Sequence, residues 1–385
     1  MKLFLESKFD LVPVMHVLKD ATGGNKKVKS SEFLDSGHIA IVDQSSDCLI
    51  SGYSNDKSLV FKTESPVIIF GDHTRVVKYI EFPFILGADG TKALIPKNQD
   101  ENDAKFLYYQ LKSLRIPSAG YSRHFKFLKE EKLAIPPLPE QQRIADILDK
   151  AEAINQKREQ ALALCDEFLR ATFLDMFGDP VSNPKGWVYE KLDEVILSIK
   201  AGKSLAGDSK PANENELGVL KVSAVSYGFF QPQENKKIEK LVDREKLIFP
   251  KKGDFLFSRA NTRELVGATC IVQDDFGHVF LPDKLWLIDV DSEKVSAYYL
   301  HFLMLEPKFK DKLTSQATGT SGSMLNISQK KFVNTIAPIP PIELQQKFSS
   351  IVEKVNAIKA RIQHAQELPL FEALSQQAFK GELTL

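Results

Sequence analysis

Ile135–Ile154 reads IPPLPEQQRIADILDKAEAI, and Ile339–Ile358 reads IPPIELQQKFSSIVEKVNAI, so one stretch returns at an offset of 204 without a gap. In each copy a Pro-Pro stop precedes a Gln-Gln pair and then a long amphipathic run. Solenoid repeats recur every 20–50 residues or so; a segment that recurs once, this far away, describes a chain built as two halves. A weaker echo lies upstream, where Phe9, Val14, Val17 and Gly24 align with Trp187, Leu192, Val195 and Gly202 at an offset of 178. Each half is thus roughly 130–150 residues of mixed structure, a Pro-rich stop and one long helix, about the size of an ordinary domain.

The chain of 385 residues is 43% hydrophobic and 26% charged, enough to bury full-sized cores. Lys+Arg and Asp+Glu are both 51, so any nucleic-acid role is local and geometric rather than a general grip on phosphates. Residues 136–184 hold 5 basic and 9 acidic side chains, whereas the flanking segments are close to balance. Cys48, Cys165 and Cys270 are far apart and form no C-x-x-C pair, which argues against a structural zinc or a disulfide framework and fits a cytoplasmic protein. Neither a signal peptide nor a run of 18 or so apolar residues is found.

In the first half, strands are expected at His38–Val42, Ser58–Lys62, Pro66–Phe70, Val76–Ile80 and Lys92–Ile95, with a strand or short helix over Val12–Leu18. Ala104–Ser113 is its helix. The second half repeats the order with strands at Asp254–Ser258, Ala268–Val272, Val279–Leu281 and Leu285–Asp289 and a helix at Val295–Leu305. Polar loops, Ser118–Lys126 and Thr314–Asn326, precede the two stops. Helices are too few for a doubly wound parallel sheet, so each half reads as a mixed α/β globule.

From Ile144, apolar positions fall at Ile147/Leu148, Ala151, Ile154, Ala161/Leu162, Cys165, Phe168/Leu169, Thr172 and Met176. This 3–4 alternation runs for about four and a half heptads, interrupted at Arg158. The second copy has Phe348, Ile351/Val352, Val355, Ile358, Ile362 and Ala365, then meets Pro369, which should end or kink the helix. The seams predict an antiparallel coiled coil of helices about 25–35 residues long. At ~1.5 Å per residue these are rods of about 40–50 Å that hold the two globules a fixed distance apart.

The Pro-Pro-x-x-x-Gln-Gln stops, the long helices behind them and two differing globules resemble the specificity subunit of type I restriction–modification systems, over essentially the whole chain. PVIIFGDHTRVVKYI (Pro66–Ile80) with FILGADGTKAL (Phe84–Leu94) resembles one kind of target recognition domain, and GDFLFSRANTRELVGATCIV (Gly253–Val272) with LPDKLWLI (Leu281–Ile288) another. The resemblance implies an α+β, pseudo-two-fold arrangement of two similar target recognition domains separated by two long helices. Its parts are a first recognition domain at 1–135, a central conserved helix at 136–180, a second recognition domain at 181–338 and a C-terminal conserved helix at 339–385. It also implies a non-catalytic DNA-sequence reader, each domain addressing one half of a bipartite asymmetric site. Expected partners are double-stranded DNA, two modification (methyltransferase) subunits docked on the helices, and restriction (translocase/endonuclease) subunits. S-adenosylmethionine, ATP and magnesium belong to those partners, and this chain binds no cofactor or metal.

Base edges are read by Arg, Lys, Asn, Gln, Ser and Thr, while other polar contacts hold phosphates. The DNA-binding candidates in the first half are Lys26 and Lys27 after the Gly turn, His73 and Arg75 after a strand, and Arg123 and His124 in the late loop. In the second half they are Lys203; Arg259, Asn261 and Arg263; and Thr320, Ser321 and Ser323 of the Gly-rich late loop. Each also reads as an ordinary solvated loop residue; agreement between halves favours Arg75, Arg123, Arg259 and Arg263. Tyr108-Tyr109 and Tyr298-Tyr299 are core-facing. Catalytic motifs are missing: Leu197 stands where a phosphate loop ending in Gly202-Lys203-Ser204 needs its first Gly, and neither H-E-x-x-H nor G-x-S-x-G occurs. The competing readings are a coiled-coil adaptor between proteins and a stand-alone DNA-modifying enzyme.

Overall fold

The computed structural model describes residues 7–118, 120, 123–208, 210–239, 242–319, 324–367 and 370–383. The chain divides into two units, Met1–Gln160 with Ile362–Leu385, and Ala161–Arg361, so the boundary falls inside both long helices.

In the first unit Asp10–Pro13 pairs antiparallel with Lys132–Ile135, closing the globular part at its neck. Within it one antiparallel sheet runs in the order Leu18–Asp20, Thr91–Pro96, Val67–Gly71, Val77–Ile80. A second, mixed sheet comprises Lys27–Val28, Phe84–Gly87, Ile39–Val42 and Gly52–Ser54. Apolar strands fully buried on both faces, such as Val67–Gly71, form the middle of these sheets. The helix Ala104–Ser113, capped by the Asp103 carboxylate on the Phe106 N–H at 2.7 Å, buries Phe106, Leu107, Tyr109 and Leu111.

The second unit repeats the plan. Val188–Lys191 pairs with Ile336–Ile339, and these strands stand 178 and 204 positions after their counterparts, the offsets already visible in the sequence. The main antiparallel sheet runs Ile196–Ala201, Leu285–Val290, Phe255–Ser258, Thr269–Ile271. A smaller sheet comprises Asn235–Lys237, Gly218–Leu220 and Val279–Phe280. The helix Ala297–Leu305 buries Tyr299, while Tyr298 is half-buried.

Two expectations change locally. Ser58–Lys62 is not a strand: Lys57–Leu59 forms a 3-10 turn capped by Asp56, which delivers Phe61 to the core. Val12–Leu18 divides into strand, one helical turn and strand.

The repeated glutamine explains the repeated stop. Gln141 is fully buried; its Oε1 accepts from the Asp103 N–H at 2.9 Å, and its Nε2 donates to the Glu101 and Pro136 carbonyls at 2.9 Å each. Gln345 does the same, accepting from the Ser296 N–H at 2.9 Å and donating to the Lys294 and Pro340 carbonyls at 3.1 and 2.7 Å. One neutral side chain supplies the acceptor and both donors, which a Glu or an aliphatic residue cannot. It ties the long helix, the stop and the first turn of the domain's own helix.

The central helix spans Leu138–Phe177, 40 residues and so longer than expected, and ends where Gly178 adopts φ 78°. The C-terminal helix runs Ile342–Glu367, and a further helix covers Leu370–Lys380; Pro369 lies outside the described residues. In the first unit, Arg143 reaches the Leu383 carbonyl at 3.1 Å, and Tyr109, whose hydroxyl donates to Asp149, lies 5.5 Å from the Phe371 ring at a tilt of 49°. In the second, Phe173 and Phe177 pack on Phe348, and Lys359 pairs with Asp166 at 2.6 Å. Both pairings are antiparallel. The seam is nevertheless not buried throughout: Ile154, Phe168 and Ile358 are 41%, 53% and 49% exposed, as is Leu164 outside it at 63%. Burial concentrates at the ends of the central helix, on Ile144, Leu148, Leu169, Phe173 and Phe177.

Candidate nucleic-acid interface

In the second unit three loops meet at one guanidinium. The strand Phe255–Ser258 delivers the chain to Arg259, and the next two residues pair antiparallel with Leu325–Asn326, Ala260 opposite Asn326 and Asn261 opposite Leu325. Thr318 and Asn326 exchange backbone hydrogen bonds of 2.9 Å, so the post-strand and late loops form one ladder. Arg259 donates from Nε to the Asp283 carbonyl at 2.9 Å, from Nη2 to the Asp283 carboxylate at 3.1 Å, and from Nη1 to the Asn326 Oδ1 at 2.9 Å. Asp283 also accepts from the Ser204 hydroxyl. That hydroxyl, with the Arg259 guanidinium, outweighs desolvation and holds the Asp283 carboxyl below its usual range. Gly202 lets the Lys203 loop approach this point, because a Cβ there would lie 2.0 Å from the Leu281 carbonyl oxygen.

Arg259, expected to face DNA, is therefore occupied by protein acceptors. Asn261 is only 8% exposed; its amide donates to the Ser226 hydroxyl at 3.4 Å and accepts from the Thr262 N–H at 2.9 Å, so it too faces inward. Lys203 and Arg263 are exposed beside these loops. Thr320, Ser321 and Ser323 lie outside the described residues.

The first unit has a parallel knot centred on Asp72, which is 3% exposed. Its N–H donates to the Gly90 carbonyl at 2.7 Å, its carbonyl accepts from the His124 N–H at 2.7 Å, and its carboxylate accepts from the Phe125 N–H at 2.7 Å. His124, expected at the surface, is 1% exposed, with its Nδ1 2.9 Å from the Asp72 carbonyl oxygen; burial makes it a strut. Gln44 links the same loops from the other side, accepting from the His73 N–H at 2.9 Å and donating to the Asp89 carbonyl at 2.6 Å.

Lys27 is half-buried with its ammonium on the Thr91 carbonyl at 2.9 Å; desolvation, and then repulsion from Lys92, lowers its pKa. Arg75 adopts φ 63° and donates to the Ile116 carbonyl at 3.0 Å, while remaining exposed overall. Lys26, His73 and Arg123 are exposed. The post-strand and late loops singled out in the sequence thus lie together in each unit, but sequence reading missed Gln44, Asp283 and Asn326, for which no local signal exists: a turn carboxylate or amide looks the same whether or not a distant arginine reaches it.

Among the described residues, no group of three or more His, Cys, Asp or Glu side chains could hold a metal, and no helix is long and apolar enough to cross a membrane.

The family model for the type I restriction modification DNA specificity domain matches residues 14–164 and 184–368, one match per repeat. The chain belongs to this family. The EcoEI specificity subunit of Escherichia coli is 32% identical over 210 residues, 52% of this chain but only 35% of that protein. The EcoR124I/EcoR124II specificity subunit, also from Escherichia coli, is 22% identical over 384 residues, covering 93% of this chain and 89% of its own length. The crystal structure of the type I restriction–modification S subunit from M. genitalium shares the fold, with a TM-score of 0.59 at 15% identity over 99% of this chain and 98% of that one. The specificity-domain family thus accounts for both repeats, and its two matches bracket the two knotted loop clusters.

Proposed function

We propose that this chain is the DNA sequence-recognition subunit of a type I restriction–modification complex. Each globular domain reads one half of a bipartite asymmetric site, and the helices set the spacer between the half-sites. The observation that carries this reading is the double family match on a chain whose two units share neck, sheet and glutamine clasp yet differ in their exposed loop residues. Similar scaffolds with different reading loops are what an asymmetric site requires, because phosphate contacts position a protein while base contacts specify sequence. The readers are drawn from Lys26, His73, Arg75 and Arg123 in one domain and from Lys203, Arg263 and the late loop holding Thr320, Ser321 and Ser323 in the other.

Two modification subunits dock on the long helices. The uncovered apolar side chains Leu164, Phe168 and Ile358, with Ile154, support this, since apolar groups left in water on a helix mark a protein-binding face. Methyl transfer to adenine N6, with S-adenosylmethionine, and ATP-dependent cleavage, with magnesium, belong to the modification and restriction subunits; this chain selects the site in the cytoplasm.

Modified-base sequencing of DNA from cells with and without this chain tests the reading. The expected result is one split motif, methylated only when the chain is present, and lost when the gap between its halves changes by one base pair. A methylation pattern indifferent to the chain would sink the reading and revive the protein adaptor.

A further inference from the structure

We infer that the Arg259–Asp283 pair is a positioning device, a buckle that sets the register of the second domain's reading loops without touching DNA. The inference rests on the function proposed above and assigns a different job to an arginine that looks, by sequence, like a base reader. Arg259 is 30% exposed and joins three chain segments far apart in sequence: its own post-strand loop, the turn at Asp283 and the late loop at Asn326. Through the Ser204 hydroxyl, Asp283 adds a fourth, the loop that carries Lys203.

Asp283 takes the Nε/Nη2 edge of the guanidinium and Asn326 a third N–H, so of five donors only two are left and that edge cannot pair with guanine without breaking its bonds to Asp283. The exposed neighbours Lys203 and Arg263, by contrast, extend from loops whose backbones this pair fixes. The first domain solves the same problem with other residues: Asp72, buried behind His73 and Arg75, binds the Gly90 turn and the late loop at His124 and Phe125. In both domains a polar group behind the tip, rather than at it, ties the post-strand loop to the late loop.

The test uses the full chain in its assembled complex and duplexes bearing the motif found by modified-base sequencing. Each duplex is varied one base pair at a time in each half-site, over a series of salt concentrations. Arg259→Ala and Asp283→Ala are each expected to lower discrimination at several positions of a single half-site together, by about tenfold or more. The other half-site is still read, the salt dependence of binding is unchanged, and the double variant is no worse than the poorer single one. Arg263→Ala, which removes an exposed charge, instead changes one position or reduces the salt slope by about one.

The inference is overturned if Arg259→Ala erases preference at one base pair, or flattens the salt slope, while Asp283→Ala reads DNA like the wild type. Should either alanine variant melt below the assay temperature, Asp283→Asn decides. It keeps the shape and removes the charge, so reduced discrimination supports the buckle and wild-type discrimination removes it. Absence of any sequence preference in the wild-type complex would instead count against the proposed function itself, and the buckle would fall with it.

Discussion

The two units clasp their globular parts to the long helices through the same glutamine, yet secure them by different chemistry. In the first unit polar contacts, the Tyr109 hydroxyl and Lys105 on Asp149 and Lys112 on Glu152, are added to the packing of Phe106 on Phe379 and of Tyr109 on Phe371. In the second the same place is filled by rings: Phe173 lies 5.1–6.1 Å from Phe177, Tyr299, Phe302 and Phe348. Arg170, paired with the mostly buried Glu306, borders them. Ion pairs can thus supplement rings wherever a contact only has to hold two surfaces together. The glutamine recurs because three fixed backbone groups, one donor and two acceptors, converge on a point that only a primary amide can satisfy.

The largest expected effect probes the aromatic side of this contrast. Phe173→Ala should cost the second unit about 3–5 kcal/mol, read as an early transition in urea followed by tryptophan fluorescence, since Trp187 and Trp286 both lie there. If the whole chain instead unfolds in one later step, the units are not separable in the way their contacts suggest.

Acid provides the next test. His301 is buried against the Thr269 hydroxyl at 2.9 Å, and desolvation, with a lesser push from Lys359, lowers its pKa from 6.5 to about 4. The folded form therefore binds the proton less readily than the unfolded form. The stability this lends the second unit is complete above about pH 6.5 and is lost as pH falls toward 4, a swing on the order of 3 kcal/mol. The first unit carries Tyr108 at the corresponding helix position. Urea midpoints of the second unit should drop across this window in the wild type and vary much less in His301→Gln.

The clasps come third. Gln141→Leu and Gln345→Leu should each cost about 2–3 kcal/mol, because buried carbonyls and an N–H lose their partner. Near-equal losses, read as amide-exchange protection in each helix, would sharpen the equivalence of the units; a silent variant in either would break it. The smallest effects belong to the partly exposed ion pairs. Lys105→Ala and Lys359→Ala should each shift stability by less than about 1 kcal/mol, with the difference shrinking in high salt.

Much of this architecture was legible in advance, for physical reasons that differ from feature to feature. The neck strands and the glutamine clasp lie at the offsets of the sequence repeat, the clasp with the same residue because the same backbone groups converge on it, the neck strands with different residues in the same pairing. Tyr108, Tyr109 and Tyr299, expected to face the core, are buried there, whereas Tyr298 is only half-buried. The loops were another matter. Whether Arg259, Asn261 or His124 meets solvent is decided by partners 67, 35 and 52 positions away, and no local pattern reveals these. The heptad pattern shows where an apolar stripe runs but not how far it is covered: Leu169 is buried, whereas Phe168 beside it is 53% exposed.

Because Asp10–Pro13 lies alongside Lys132–Ile135, and Val188–Lys191 alongside Ile336–Ile339, the polypeptide leaves each scaffold a few ångströms from where it re-enters. Insertions, deletions or wholesale replacement of the sequence in between need not tug on the helices. Evolution can thus rewrite what a domain senses while the mounting stays as it was.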